Sequence, residues 1–480
     1  MDGTKANPVI PLACHVETRD GTLSKDALLV NCYIENTDNG PCVIKRPGTV
    51  VGATVPTGFP QGLGRHNGHV WAVVDNVLYQ VDVTGTPPVI TPIPSVTGPT
   101  GQQYQVISDV AVGKSGFKSQ YGAWIVDGTT ITKITDPDYP ALTCQGVAWL
   151  DGAAYVVELN ATSGRNVLRG SDLEAPASWN PLNFIEISTT GGRAVYICNH
   201  LNYVAVFLES GLRLFYDAGN AVGSPLAPVQ NASWLTGCGS ANSVVKIVDD
   251  LFFVSRSSVT GYAVTVLSGL TLSTISTPAI ERVLNRVEYT YVSAQSFKCD
   301  GHSFYCLSGL SAGGVSTTLA FNLTTKTWAQ WTSVVGGVEK GFQGINAISK
   351  DATYYMQDAT DGTMMLLTDT AYTDGAGTLR GTVPINTRVI TRPFDWGTLK
   401  RKFFSAVYLL ADTVAATVSL RYSDDDYSTF SAWRSIDLSS IRKMGVRFGS
   451  SRRRSWEFLH TGNTPFRAYG LEIEVEKSTE

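Results

Sequence analysis

The sequence predicts an all-β chain: a β-propeller of six or seven blades, a C-terminal β-sandwich-like domain and an N-terminal arm. Three observations point there. Glycine is abundant at 46 of 480 residues, beside plentiful Ser, Thr, Val and aromatics. Long Ala/Leu/Glu/Lys stretches with helical periodicity are nearly absent. A strand–turn–strand unit also recurs loosely every 40–55 residues, the period of propeller blades.

The first segment, "NCYIENTDNGPCVIKRPG" at residues 31–48, reads as a hairpin. Cys32, Tyr33 and Ile34 favour extended backbone, and Asn39-Gly40 is a strong hairpin turn. It ends on Lys45, Arg46, Pro47 and Gly48. Pro47 presets its own backbone angle and Gly48 permits a chain reversal, so the stretch is suited to fix the entry of an N-terminal arm, residues 1–60. The two cations have two readings of equal weight: contact with a neighbouring subunit, or a cap on the chain's own fold.

The repeats follow. "GHVWAVVDNVLYQVD" (68–82), "GAWIVDGTTITKITD" (122–136) and "GVAWLDGAAYVVEL" from Gly146 come first. "HLNYVAVFLESGLRLFYD" from His200, "IVDDLFFVSRSSVTGYAVTVL" from Ile247, "SFKCDGHSFYCLSGL" from Ser296 and "INAISKDATYYMQDATDGTMMLLTD" from Ile345 complete the series. Each pairs two apolar strands across a turn of Asp-Asn, Asp-Gly or Glu-Ser-Gly type. One such sheet cannot bury both faces; stacked around an axis, neighbours cover each other. "FNLTTKTWAQW" (321–331) resembles the kelch-type strand–turn–strand in which Trp packs between blades. These units set the propeller at residues 61–378. Beyond a loop and exit strand, "TAYTDGAGTLRGTVPINTR", the pattern changes. "LRYS" and "LEIEVE" alternate with period two, which places a sandwich or platform at 379–480, suited to pair with strands of 1–60.

Composition limits the chemistry. A net charge of −4 argues against a dedicated basic nucleic-acid binder. "MDGTKANPVIPLACHVETRDG" shows no basic region followed by an apolar core, so no export signal is expected, and no apolar run reaches the roughly 20 residues of a membrane span. Cys14, Cys32, Cys42, Cys144, Cys198, Cys238, Cys299 and Cys306 form no CxxC pair and read as free, mostly buried thiols. The sequons at Asn160, Asn231 and Asn322 then carry no glycan. His66-x-x-His69 has two of the residues of a metal site but no third ligand at fitting spacing, so neither metal nor cofactor is expected. No G-x-S-x-G, P-loop or H-E-x-x-H motif occurs. "SDDDYSTFSAW" (423–433) resembles the Asp box of sialidases, with Tyr427 where Gly is expected. That box is a turn and not a catalytic group, and no opposed pair of carboxylates is marked, so no catalytic residue is assigned.

Positive charge clusters in the C-terminal part: Lys400, Arg401 and Lys402, then Arg442, Lys443 and Arg447, then Arg452, Arg453 and Arg454. One reading is a solvated loop or the cationic half of ion pairs. The other is a face that meets phosphate or an acidic neighbour. Few aromatics interleave, which disfavours reading of single strands by base stacking.

Four segments in order carry a family likeness. "NCYIE" followed by "KRPG", "GRNVLRGSDLEAPASWNPLNF" (164–184), "LNYVAVFLESGLRLFYDAGN" and "SSRRRSWEFLHTGNTPFRAYGLEIEVE" (450–476) resemble podovirus tail hub proteins, also called tail nozzle or packaged-DNA stabilisation proteins. The resemblance implies a virion protein with no enzymatic activity, a subunit of a six-fold ring below the portal–adaptor complex. Its lumen would conduct and retain duplex DNA without sequence specificity. Tail fibres or spikes, and a needle or distal plug, would be its other partners, and its location the virion tail after synthesis in the host cytoplasm. The alternative from a different class is a propeller glycosidase or depolymerase acting on cell-surface polysaccharide.

Overall fold

The computed structural model describes the chain apart from residues 1–6, 67, 84–88, 94–104, 112–113, 129, 161–163, 188–190, 221, 290–291, 376–381 and 478–480. Part of the expected exit loop, 376–381, therefore lies outside the described residues. Among the described residues the α-helix is confined to Pro278–Leu284, started by Pro278 and capped by the Thr277 side chain. The remainder is strand, turn and a short 3-10 helix at Ala241–Ser243, in a β-propeller joined to a two-layered sandwich.

Six blades are antiparallel sheets of consecutive strands. They occupy residues 60–93 (blade 1), 105–133 (blade 2), 148–187 (blade 3), 194–234 (blade 4), 237–274 (blade 5) and 293–335 (blade 6). A further sheet closes the ring. Its strands Gly344–Lys350, Thr353–Asp358 and Met364–Thr368 take Gly48–Ala53, from far upstream, as their fourth. The tight turns are those the sequence marks. Asp75-Asn76, Asp151-Gly152 and Asp300-Gly301 all have positive φ at both positions, the geometry of a two-residue hairpin that matches strand twist.

Period-two alternation tells each blade what it packs on. In the strand His69–Val74, Val70, Ala72 and Val74 face the closing sheet with Tyr355 and Met364, whereas Trp71 and Val73 face Trp124 and Val126 of blade 2. Ala154 and Val156 pack with Trp179 against Ile134 and Tyr139, which follow the last strand of blade 2, while Tyr155 and Val157 meet blade 4. Ala205 and Phe207 pack on Phe253 of blade 5, and Val204, Val206 and Leu208 pack back on blade 3. Both faces of a blade are thus apolar. Each buried Val, Leu or Phe contributes about 1.5–3 kcal/mol only because its neighbour is present. Trp328 does as the kelch-like segment suggests: its indole N–H donates across to Ile275 O of blade 5 at 3.2 Å.

The N-terminal residues are woven through the molecule. Leu28–Val30 lies between the outer strand of blade 6, where Val30 pairs in parallel with Gln330, and Thr387–Ile390. Blade 6 thereby continues as one sheet into Ser455–His460, Thr417–Ser423 and Arg434–Asp437 of the sandwich. The other layer joins the hairpin Cys32–Thr37/Gly40–Lys45 to Arg467–Lys477, Lys402–Ala411 and Met444–Val446, with Val9–Pro11 on Arg467–Lys477. Trp456, Phe458 and Leu420 from one layer and Phe404, Val407 and Leu471 from the other share a single core with blades 5 and 6.

Candidate functional site

The hairpin at 31–48 delivers its two cations to the place where propeller and sandwich meet. Arg46 is completely buried. Its guanidinium grips the Asp374 carboxylate at both ends, at 2.9 and 2.5 Å, and donates to Asn31 Oδ1 (2.9 Å), Pro47 O (3.0 Å) and Thr332 O (2.8 Å). All five N–H donors are spent, and the planar group lies over Phe342 and Trp331, 4.9 and 5.5 Å from their centres. Lys45 is buried too, and donates a hydrogen bond to Gly462 O at 2.7 Å; burial, then the Arg46 charge, brings its amine down to about 8. Burial, then the Lys45 charge, brings His460 down to about 4. Neither cation is available to another subunit: of the two roles open at sequence level, the subunit contact is corrected to an internal one. Gly48 also acts differently from expectation. It does not use positive φ; a Cβ there would fall 2.2 Å from Thr373 O, so glycine is needed for close backbone approach.

A second clamp holds the same hairpin to blade 6. Tyr33 donates to Asp300 at 2.8 Å, Glu35 accepts from Arg467 at 3.0 Å and lies 3.6 Å from His302, and Asn322 donates to Ile34 O. Asn31, Asp374, Glu35 and Arg467 are partners that sequence reasoning missed. Between 15 and 432 residues separate the paired groups, and no local pattern marks them.

The C-terminal cations divide into two sets. Lys402, Lys443 and Arg454 point inward. Lys402 donates to Thr398 O, Lys400 O and Arg452 O over the Trp396 ring, and Lys443 donates to Thr413 Oγ1. Arg454 clasps Asp424 through two bonds of 2.7 and 2.8 Å, reaches Phe448 O and lies 3.7 Å over Tyr422. These three are corrected from surface groups to fixtures of the sandwich. Lys400, Arg401, Arg442, Arg447, Arg452 and Arg453 are exposed. Arg452 bonds Leu399 O, Arg401 bonds Ser450 Oγ, Arg442 bonds the Tyr408 hydroxyl, and Arg453 pairs with Asp426. They form a cationic rim along the strand Lys402–Ala411 and its flanking turns.

The Asp-box-like segment is a turn. Asp425 accepts from Ser423 Oγ, Thr429 N and Thr429 Oγ1, and these bonds hold its carboxyl down to about 2. Tyr427, in the glycine position, does take the left-handed conformation (φ 67°). Its buried ring and hydroxyl bond to Thr391 O hold it there. His66 and His69 face each other across their hairpin, with His66 Nδ1 2.6 Å from Ser115 Oγ. Among the described residues no group of three or more His, Cys, Asp or Glu is placed to hold a metal. All eight cysteines are free thiols, and burial raises Cys14, Cys238 and Cys306 to about 12. A cavity of about 360 Å³ opens between blades 5 and 6 and the closing sheet. Its lining, including Asn242, Ser293, Ser308, Ser316 and Gln343, contains no ionisable side chain.

A family model described as "Phage_stabilise: Bacteriophage P22 Gp10, beta-propeller" matches residues 41–372, well over half of the chain. The chain belongs to that family. The match begins in the second strand of the opening hairpin and ends at the last propeller sheet, so it covers Lys45–Gly48 and the whole ring. Phage_stabilise membership makes this a bacteriophage structural protein of the tail and DNA-stabilisation class. No curated protein sequence matches it. Solved structures resemble it remotely. The extracellular domain of the putative hybrid two component system BT4673 from B. thetaiotaomicron has 10% identity and a TM-score of 0.42 over 79% of this chain and 45% of its own. The chain thus spans less than half of that protein. The WD40 propeller of Doa1 has 10% identity and a TM-score of 0.40 over 67% and 97%. Apo AztD from Citrobacter koseri has 12% identity and a TM-score of 0.35 over 64% and 86%. No described helix is long and apolar enough to cross a membrane.

Proposed function

We propose that this Phage_stabilise protein is a non-enzymatic subunit of the hexameric tail hub, or nozzle, of a short-tailed phage. It is mounted below the portal–adaptor complex, lines the DNA channel, and keeps the packaged genome in place until ejection. The family match over residues 41–372 carries this reading. In domain terms, 61–378 together with the strand Gly48–Ala53 is the propeller and 379–480 the platform that fixes it, with the rest of residues 1–60 locking the two. Fibres or spikes hang on the outside, and a needle or distal plug closes the tip.

The electrostatics suit a conduit. A strongly basic wall would hold phosphates with salt-dependent affinity at every contact and retard ejection, whereas this chain is mildly acidic with one cationic rim. The rim of Lys400, Arg401, Arg442, Arg447, Arg452 and Arg453 is the assembly or phosphate-facing surface.

The test is assembly. Light scattering should give a mass six times that of the chain, alone or after addition of portal–adaptor complexes, and particles lacking the protein should lose packaged DNA. A persistent monomer that ignores portal–adaptor complexes and releases reducing sugar from capsular polysaccharide would overturn the proposal.

A further inference from the structure

Blades 3 to 5 expose aliphatic side chains at their turns, and in blades 4 and 5 these stand where siblings carry turn residues. In blade 3, the closing sheet and blade 6, the turn between the first two strands is Asp151-Gly152, Asp351-Ala352 or Asp300-Gly301. In blades 4 and 5 the same turn begins with Leu201 and Val248, at φ 51° and 58°, with 43% and 86% of their surface in solvent. A β-branched residue in the left-handed region is a genuine conformational outlier, and strain of this kind is retained where surrounding structure or function holds it. Leu270 in the last turn of blade 5 and Leu173 in that of blade 3 are exposed as well, as are Val222 and Leu182.

These turns share one face of the ring. Glu174 N donates to Gly152 O within blade 3, and His200 Nε2 lies 2.6 Å from Gly269 O between blades 4 and 5. A Cβ on Gly223, next to Val222, would sit 3.9 Å from Leu182 O. Acidic side chains stand in and beside these turns: Asp151, Glu174, Asp217, Asp249 and Asp250, with Lys246 two residues before Val248. The sandwich presents the complement. Leu399, Phe403, Ile441 and Val446 are 67, 49, 98 and 46% exposed along Lys402–Ala411 and its neighbouring turns, interleaved with Arg401, Arg442, Arg447 and Arg452.

We propose that the acidic, aliphatic turn face of blades 3–5 receives the cationic, apolar edge of the sandwich from a second copy of this chain. The two surfaces match in charge, and both carry apolar groups to bury. They are different patches of the chain, one formed by turns of blades 3–5 and the other by the sandwich, which continues the sheet of blade 6. The contact is therefore heterologous, the class that generates closed rings or filaments. It rests on the reading of the protein as a ring subunit and names the surfaces that build the ring.

Leu201→Asn with Val248→Asn is the discriminating variant, because asparagine tolerates the left-handed turn. The isolated chain should keep or raise its melting temperature, while the concentration for half-assembly by light scattering rises at least tenfold. Asp249→Lys with Asp250→Lys, or Arg442→Glu with Arg452→Glu, should each weaken assembly. All four reversals in one chain should restore it. Rings that persist unchanged in every variant, or single-side losses with no restoration, overturn this interface and leave the hub reading intact. A wild-type chain that stays monomeric, alone and with portal–adaptor complexes, overturns both.

Discussion

Removing the Asp374 carboxylate should unlock the joint between propeller and sandwich. Its two oxygens accept both guanidinium bonds of Arg46 and one from Ser333 Oγ at 2.9 Å, all in a site with no solvent around the guanidinium. Asp374→Ala strands a buried cation with two unpaired donors, which costs about 3–5 kcal/mol. Charge-assisted bonds of roughly 1.5–3 kcal/mol each give a similar total. Arg46→Met paired with Asp374→Leu removes both charges and should recover most of that loss, since an apolar pair of similar volume has no desolvation to offset. Urea unfolding followed by tryptophan emission reports directly, because Trp331 stacks on Arg46. Hydrogen exchange at the Gly48–Ala53 amides separates local release from global unfolding. Single and double variants that add within about 0.5 kcal/mol would refute the reasoning, for then the pair would not be coupled.

Other outcomes follow from the same geometry. His460, held at about 4 by burial and Lys45, binds its proton in the unfolded chain near 6.5 but not in the folded one. Stability is therefore full above about pH 6.5 and falls as pH drops toward 4, by about 2–3 kcal/mol, and His460→Gln should flatten the urea midpoint across that window. Gly48→Ala drives a methyl into Thr373 O and should cost at least about 1–3 kcal/mol in the same assay. Arg454→Ala should destabilise by about 3 kcal/mol, since it leaves Asp424 and a ring of aromatics without their centre, whereas Arg452→Ala should stay within about 0.5 kcal/mol. Charge reversal at Arg452 and Arg453 with Arg454 kept then tests assembly apart from folding, by light scattering against thermal melting.

By itself the sequence determined the repeating unit. Alternation in "HVWAVV" and "YVAVFL" is local, and so are Asp-Asn and Asp-Gly turns; the chemistry that makes each hairpin lies within about 20 residues and can be read there. The order of blades follows, as does the Asp-box turn, whose Ser423, Asp425 and Thr429 bond one another. Tertiary structure decided everything that depends on groups distant in sequence. Which cations are internal is the clearest case: Arg453 and Arg454 are neighbours of one type, yet one lies at the surface beside Asp426 and the other is sealed under Tyr422. Lys45 and Arg46 had two readings in the sequence, a subunit contact or a cap on the chain's own fold; the partner that decides it, Asp374, arrives 328 residues later, brought in when Gly48–Ala53 closes the ring. A buried charge needs its partner in space and not in sequence, so the ring's closure, the lock at its seam and the exposed rim could be settled only by the fold.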